Sequence, residues 1–236
     1  MIELREVSYR YARTLPPVLE HITLTFQDGE TTAVLGAPGS GKTTLLRIIA
    51  GQISPSSGGV WVHGYPMKGK EKEKLLQQIS FWPTVPAAGG KETVEERIRS
   101  SAEKASPENG ESLAAYAAEE MKMGNLLTKK MKELSSVERK KVDLACALAS
   151  SSSCMIFDEP FGLLDPVSER CFCQAALPPG SVKIIASNRL DAIHKMCSSA
   201  VVLRQGRILA KGSCRRILEN SLLLREAGLE LSSRPF

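Results

Sequence analysis

The stretch Gly36-Ala37-Pro38-Gly39-Ser40-Gly41-Lys42-Thr43-Thr44 fits the pattern G-x-x-x-x-G-K-[ST], and its flanks limit what the chain can fold into. Thr31-Thr32-Ala33-Val34-Leu35 before it reads as a buried strand, and Leu45-Leu46-Arg47-Ile48-Ile49-Ala50 after it as the first turns of a helix. Strand, glycine-rich loop and helix N-terminus, in that order, make a cradle for phosphate. Loop N–H groups point inward, and glycine lets the backbone approach oxygen atoms closely. Lys42 would reach the β- and γ-phosphates of a nucleotide, and the Thr43 hydroxyl would bind Mg²⁺. The competing reading is an ordinary glycine-rich turn before a helix; the flanks favour the mononucleotide site.

Around this loop, strand and helix patterns alternate. Ile2–Tyr9 and Val18–Phe26 alternate apolar and polar residues, as half-exposed strands do, and Val60–Gly64 is a further strand ending in a bend. Met67–Gln78 is predicted as a charged amphipathic helix and Ile79–Trp82 as a short strand stopped by Pro83. From Thr84 to Glu133 the β-branched residues thin out and helical spacing takes over, which predicts an inserted helical lobe over 84–133 within one domain spanning 1–236. Helices at about 136–149, 166–177 and 190–197 then alternate with strands at 154–157, 182–186 and 200–203. The expected fold class is α/β, a mostly parallel sheet wrapped by helices with an antiparallel subdomain.

At 236 residues the chain can bury a sizeable core, and 31 Lys and Arg against 26 Asp and Glu give a mild net charge of +5. No apolar run reaches the roughly 18 residues of a membrane span. The charged opening, Met1-Ile2-Glu3-Leu4-Arg5, does not read as a signal peptide, so a membrane role is expected to be peripheral. The six cysteines lack paired zinc-type spacing and read as reduced thiols. His21, His63 and His194 form no ligand cluster.

A second constellation follows at Met155-Ile156-Phe157-Asp158-Glu159-Pro160, an apolar strand ending in two acids. Asp158 would hold Mg²⁺, directly or through water, and Glu159 would polarise an attacking water as general base. Paired acids at a strand end are common in structural roles too. Their coincidence with the phosphate loop favours the functional reading.

Together these elements resemble the nucleotide-binding domain of ABC ATPases over nearly the whole chain, a P-loop NTPase fold. The resemblance implies ATP and Mg²⁺ as ligands. It places Tyr11 where that family stacks an aromatic on adenine. Phe161-Gly162-Leu163-Leu164-Asp165 stands where the family has its D-loop, and Leu134-Ser135-Ser136-Val137-Glu138 where it carries the LSGGQ signature. Asn188 stands at the switch histidine and Thr84 at the glutamine that opens the helical lobe. The opening Met1–Tyr9, with Gly206–Gly212 and Leu224–Leu229, is similar to ATPase subunits of energy-coupling factor importers. That likeness implies a second ATPase subunit paired head to tail, a transmembrane subunit that the helical lobe docks near Lys91–Ile98, and a peripheral place on the cytoplasmic face of the membrane. The transported substrate would be chosen elsewhere.

The departures fall on one side of the machinery. Lys42, Thr43, Asp158 and Glu159 are intact, while both signature glycines are replaced, by Ser136 and Val137. A β-branched Val137 at a close-approach position should keep the backbone from a phosphate. Ser135-x-x-Glu138 is also a capping box, which explains both residues without a nucleotide. Asn188 can donate a hydrogen bond but cannot carry charge as histidine does. The expectation is a chain that binds ATP, hydrolyses it poorly alone and works in an asymmetric heterodimer. A non-hydrolysing regulatory subunit is the alternative. A soluble ATPase acting on DNA or ribosomes is a third reading, and its only support is the basic set Lys129, Lys130, Lys132, Arg139, Lys140 and Lys141. That set reads first as a solvated face, and no nucleic-acid partner is expected.

Overall fold

The computed structural model describes residues 1–86, 89–150 and 152–229. Its strands are β1 (Ile2–Tyr9), β2 (Leu19–Phe26), β3 (Thr31–Leu35), β4 (Ser57–Val62), β5 (Tyr65–Pro66), β6 (Ile79–Trp82), β7 (Cys154–Asp158), β8 (Val182–Ala186), β9 (Ser199–Arg204) and β10 (Arg207–Ser213). Its helices are α1 (Lys42–Ile49), α2 (Lys72–Leu76), α3 (Val94–Ala105), α4 (Gly110–Glu120), α5 (Ser136–Ala149), α6 (Pro166–Gln174), α7 (Leu190–Met196), α8 (Cys214–Glu219) and α9 (Ser221–Glu226). The chain divides into two compact units. The first comprises 1–81, 153–159 and 182–236; the second comprises 82–152 and 160–181.

The first unit contains two sheets. One is antiparallel, ordered β2-β1-β4-β5; the other is ordered β10-β9-β3-β8-β7-β6. In the second sheet β3 pairs in parallel with β8 and β9, and β7 with β8, while β10 returns antiparallel to β9. The burial of each strand explains its sequence. β2 alternates, with Ile22, Leu24 and Phe26 buried and Thr23 and Thr25 exposed, as a strand with one wet face must. β7 and β8 are buried at every position, and apart from Lys183 and the terminal Asp158 their residues are apolar. α1 adds Leu45, Leu46, Ile48 and Ile49 to a core shared with residues of both sheets, among them Leu4, Phe26, Ile156 and Ile184.

Register decides where the chemistry emerges. Val34 of β3 and Asp158 of β7 both pair with Ala186 of the strand between them. The loop after β3 and the acids ending β7 therefore leave the sheet at the same height, at the carboxyl ends of parallel strands, where open α/β sheets hold their ligands.

The second unit is helical. α3, α4 and α5 pack on one another around Ile98, Ala102, Ala117, Met121, Val142 and Cys146. α3 begins with a capping box, Thr93 accepting from the Glu96 N–H while the Glu96 carboxylate accepts from the Thr93 N–H. The helix predicted over Met67–Gln78 is shorter than its sequence pattern suggested. A 3-10 turn at Gly69–Glu71 precedes α2, and only Leu75 of α2 is buried, so little packing sustains a longer helix. No disulfide joins the cysteines. Among the described residues no helix is long and apolar enough to cross a membrane.

Leu46 is fully buried in the core of the first unit. Leu46→Ala should lower the stability of that unit by about 2–5 kcal/mol, read as a drop in the denaturant midpoint with an unchanged slope.

Candidate functional site

The phosphate-loop sequence forms its expected turn through two glycines. Gly36 has φ +151°, and a Cβ there would stand 2.4 Å from the Leu203 carbonyl and 2.5 Å from Ser40 Oγ. Gly41, the residue before α1, has φ +104°, and a Cβ there would meet Leu19 Cδ2 at 2.7 Å. No side chain caps α1. The N–H groups of its first turn lack intrahelical acceptors and carry the positive end of the helix dipole.

Lys42 is 7% exposed. Its ammonium donates to the Gly36 carbonyl at 2.6 Å and to the Ala37 carbonyl at 3.2 Å. Burial pulls its pKa down, and the charges of Glu159 and Asp158 push the other way. Thr43 Oγ1 donates to the Asp158 carboxylate, at 2.9 Å to Oδ2 and 3.2 Å to Oδ1. Ser40 Oγ is buried with no hydrogen-bond partner among the described residues. A buried hydroxyl without a partner, a lysine resting on loop carbonyls and a hydroxyl–carboxylate pair are together a donor set suited to phosphate oxygens and a hard divalent cation.

A cleft of about 430 Å³ opens over this loop, lined by Tyr11, Val18, Pro38, Gly39, Gly41, Lys42, Thr43, Thr44, Glu159 and Asn188. Tyr11 is 57% exposed, packs edge-on against Tyr9 with ring centroids 5.0 Å apart, and sits 3.2 Å from Thr44 Oγ1 through its hydroxyl. Glu159 has φ +46°, a left-handed conformation that costs a non-glycine residue about 1–3 kcal/mol and is held by its surroundings. Its N–H donates to the Ala186 carbonyl at 2.8 Å. Its Oε2 accepts from Ser187 Oγ at 3.0 Å and from the Asn188 N–H at 3.4 Å. The Asn188 side chain is therefore not what meets Glu159; its backbone is. Ser187 is fully buried and also accepts from the Arg189 N–H at 3.1 Å. The sequence reading did not select Ser187, although a serine directly after an apolar strand and beside Asn188 was the available signal.

Ser135 does not line the cleft and belongs to the second unit. There it caps α5. Its hydroxyl accepts from the Glu138 N–H at 3.2 Å, and the Glu138 carboxylate accepts from the Ser135 N–H at 2.8 Å and its hydroxyl at 2.8 Å. Val137 is exposed on the first turn of this helix. Asp165 caps α6 in the same manner, accepting from the N–H groups of Val167 and Ser168. The basic residues around α5 form the expected solvated face only in part: Lys129, Lys130 and Lys132 are exposed, while Lys140 and Arg139 are drawn into the fold. Lys140 is fully buried and donates to the Pro83 carbonyl at 2.6 Å, Arg139 donates to the Leu134 carbonyl at 2.6 Å, and Lys129 pairs with Glu138 at 3.1 Å.

The ABC transporter family model matches residues 19–162. Over 242 residues the chain is 29% identical to an ABC transporter ATP-binding protein of Geobacter sulfurreducens, covering 98% of this chain and 93% of the relative. It is 29% identical over 238 residues to the energy-coupling factor transporter ATP-binding protein EcfA1 of Mycoplasma mobile, covering 98% and 86%. A solved ATP-binding subunit of an ABC transporter superposes with a TM-score of 0.80 at 26% identity, over 99% of this chain and 95% of the other. A dimeric ATP-binding cassette solved with ADP and phosphate superposes with a TM-score of 0.75 at 19% identity, over 91% and 99%, and shares the fold.

Hydrogen bonds from the Ser135 N–H and hydroxyl, with Lys129 beside them, hold the Glu138 carboxyl down to a pKa of about 2. Its folded pKa lies below its unfolded one, so its contribution to stability is complete above the ordinary carboxylate range and drains away as pH falls toward 2. Carboxyl NMR should find Glu138 titrating near 2. Glu138→Gln should remove that part of the acid sensitivity of α5.

Proposed function

The chain belongs to the ABC transporter family, and from that premise we propose that its cleft binds MgATP and hydrolyses it to drive solute import. Members of this family are ATP-binding subunits of transporters that couple ATP hydrolysis to transport. The observation that carries the reading is Thr43, bonded to the buried Asp158 carboxylate and lining one cleft with Lys42 and Glu159.

In this reading Lys42 leaves the Gly36 and Ala37 carbonyls for the β- and γ-phosphate oxygens, and the N–H groups opening α1 meet the same anion. Thr43 and Asp158 would hold Mg²⁺, which neutralises charge on the phosphates when bound. Tyr11 offers its exposed ring to the adenine, a contact that gives affinity and little base selectivity. Glu159 takes the proton of the attacking water, its carboxylate fixed at Oε2 by Ser187 and the Asn188 N–H. Asn188 supplies no cation at the switch position, which slows turnover.

The partner is a second, different ATPase subunit with an intact signature, paired head to tail and docked on a transmembrane subunit at the cytoplasmic face of the membrane. The exposed Val137 and the Ser135–Glu138 cap support this asymmetry. Ser135 could still face a partner's phosphate, while Val137 crowds its approach. The likeness to the energy-coupling factor protein of Mycoplasma mobile supports import. A regulatory subunit that binds nucleotide without turning it over is the second reading, favoured by Asn188 meeting Glu159 through backbone alone.

Lys42→Ala should abolish MgATP binding by the purified chain, measured by calorimetry. Glu159→Gln should retain binding and lower steady-state hydrolysis about 10²–10⁴-fold, assayed with a partner ATPase present. Turnover that needs the mixture and disappears with Glu159→Gln supports the catalytic reading. Tight binding without turnover in either setting makes the chain a regulator.

A further inference from the structure

The phosphate loop is anchored from behind by the C-terminal part of the chain. Ala37 donates its N–H to the Ala227 carbonyl at 3.2 Å. The same residue accepts from Lys42 Nζ at 3.2 Å and from the Ser40 N–H at 3.1 Å. Ala37 is therefore the junction between the cleft lysine and the end of α9. At the other side of the loop the Ser40 carbonyl accepts from the Gly206 N–H at 3.1 Å. Between these two ties, Pro38 and Gly39 face a hollow of about 220 Å³ bounded by Arg204, Gln205 and the Glu226–Gly228 segment. The middle of the loop has little packed behind it, so its end ties set its position.

The end of α9 is itself fixed. The Leu229 N–H donates to the Leu224 carbonyl at 2.8 Å and the Gly228 N–H to the Arg225 carbonyl at 3.0 Å, the two bonds of a Schellman turn. Leu224 and Leu229 are both buried, supplying the apolar contact of that motif. Glu226 pairs with Arg204 of β9 at 2.7 Å. The carbonyl of Ala227 would otherwise be an orphan of the helix end; the loop satisfies it. Gly228 has φ +70°, and a Cβ there would lie 3.1 Å from Ala37 Cβ.

We propose that the Ala227–Gly228 turn is a positioning element of the phosphate loop, holding Ala37 so that Lys42 and the loop N–H groups meet a nucleoside triphosphate in register. The inference rests on the nucleotide reading of the cleft. It assigns to the C-terminal segment a share of nucleotide affinity, although none of that segment's described residues lines the cleft.

The test is the dissociation constant of the fluorescent nucleotide mant-ATP with Mg²⁺, set beside the melting temperature without nucleotide, in the full chain. Gly228→Ala strains the turn and crowds Ala37. It should raise the dissociation constant about 2- to 10-fold, the equivalent of one displaced hydrogen bond. Gly228→Asn, which tolerates left-handed backbone but keeps the crowding, should show the same effect and serves if the alanine variant fails to fold. Leu222→Ser, at an exposed position on α9, should bind as the wild type does. Unchanged affinity in both Gly228 variants, with only the melting temperature lowered, would overturn the proposal and leave the turn a stability element. Absence of mant-ATP binding by the wild-type chain, with Lys42→Ala no different, would instead overturn the nucleotide reading and the proposal with it.

Discussion

A buried ammonium is the constraint from which the first unit is best understood. Lys42 stands at the start of α1, nearly out of water, where burial favours its neutral form. It stays compatible with charge because two loop carbonyls solvate it and two carboxylates stand near it. Those carboxylates arrive through the register of β7 on β8, and the carbonyls through a loop that only glycine at Gly36 permits. Loop, acids and helix start form one electrostatic arrangement, and the sheet is what makes them adjacent. An anion with a hard cation is its natural complement.

The same logic explains why Glu159 is strained. A strand ending in Asp158 must deliver the next side chain to the cleft, and a left-handed backbone at Glu159 does so. The hydrogen bonds from Ser187 and the Asn188 N–H hold it there. In the second unit, by contrast, the altered signature is locally content. Ser135 and Glu138 satisfy one another as a helix cap, so the start of α5 is fixed with Ser136 and Val137 following the cap.

The α/β fold was legible because its signals are local. The Gly36–Thr44 loop, the apolar run before Asp158 and the alternation in β1 and β2 each follow from residues close in sequence. Less legible were features set by distant partners. Lys140 looked like one more surface charge beside Arg139 and Lys141, yet it is buried against the Pro83 carbonyl, 57 residues away. Ser187 was not singled out from the sequence, and its tie to Glu159 spans 28 positions. The helix expected over Met67–Gln78 is shortened to Lys72–Leu76 after a 3-10 turn, because periodicity does not show that only Leu75 of that helix is buried.

By itself the sequence determined the family, the phosphate loop and the two acids, because backbone freedom at glycine and apolar periodicity are written residue by residue. Only the tertiary structure decided which of these groups meet. Parallel pairing through β8 sets Asp158 on Thr43. Packing orients Ser187 toward Glu159, and the turn at Gly228 reaches Ala37 from 191 positions away along the chain, the difference between the two residue numbers. Such contacts depend on the summed geometry of strands and helices between them, and no local pattern records that sum.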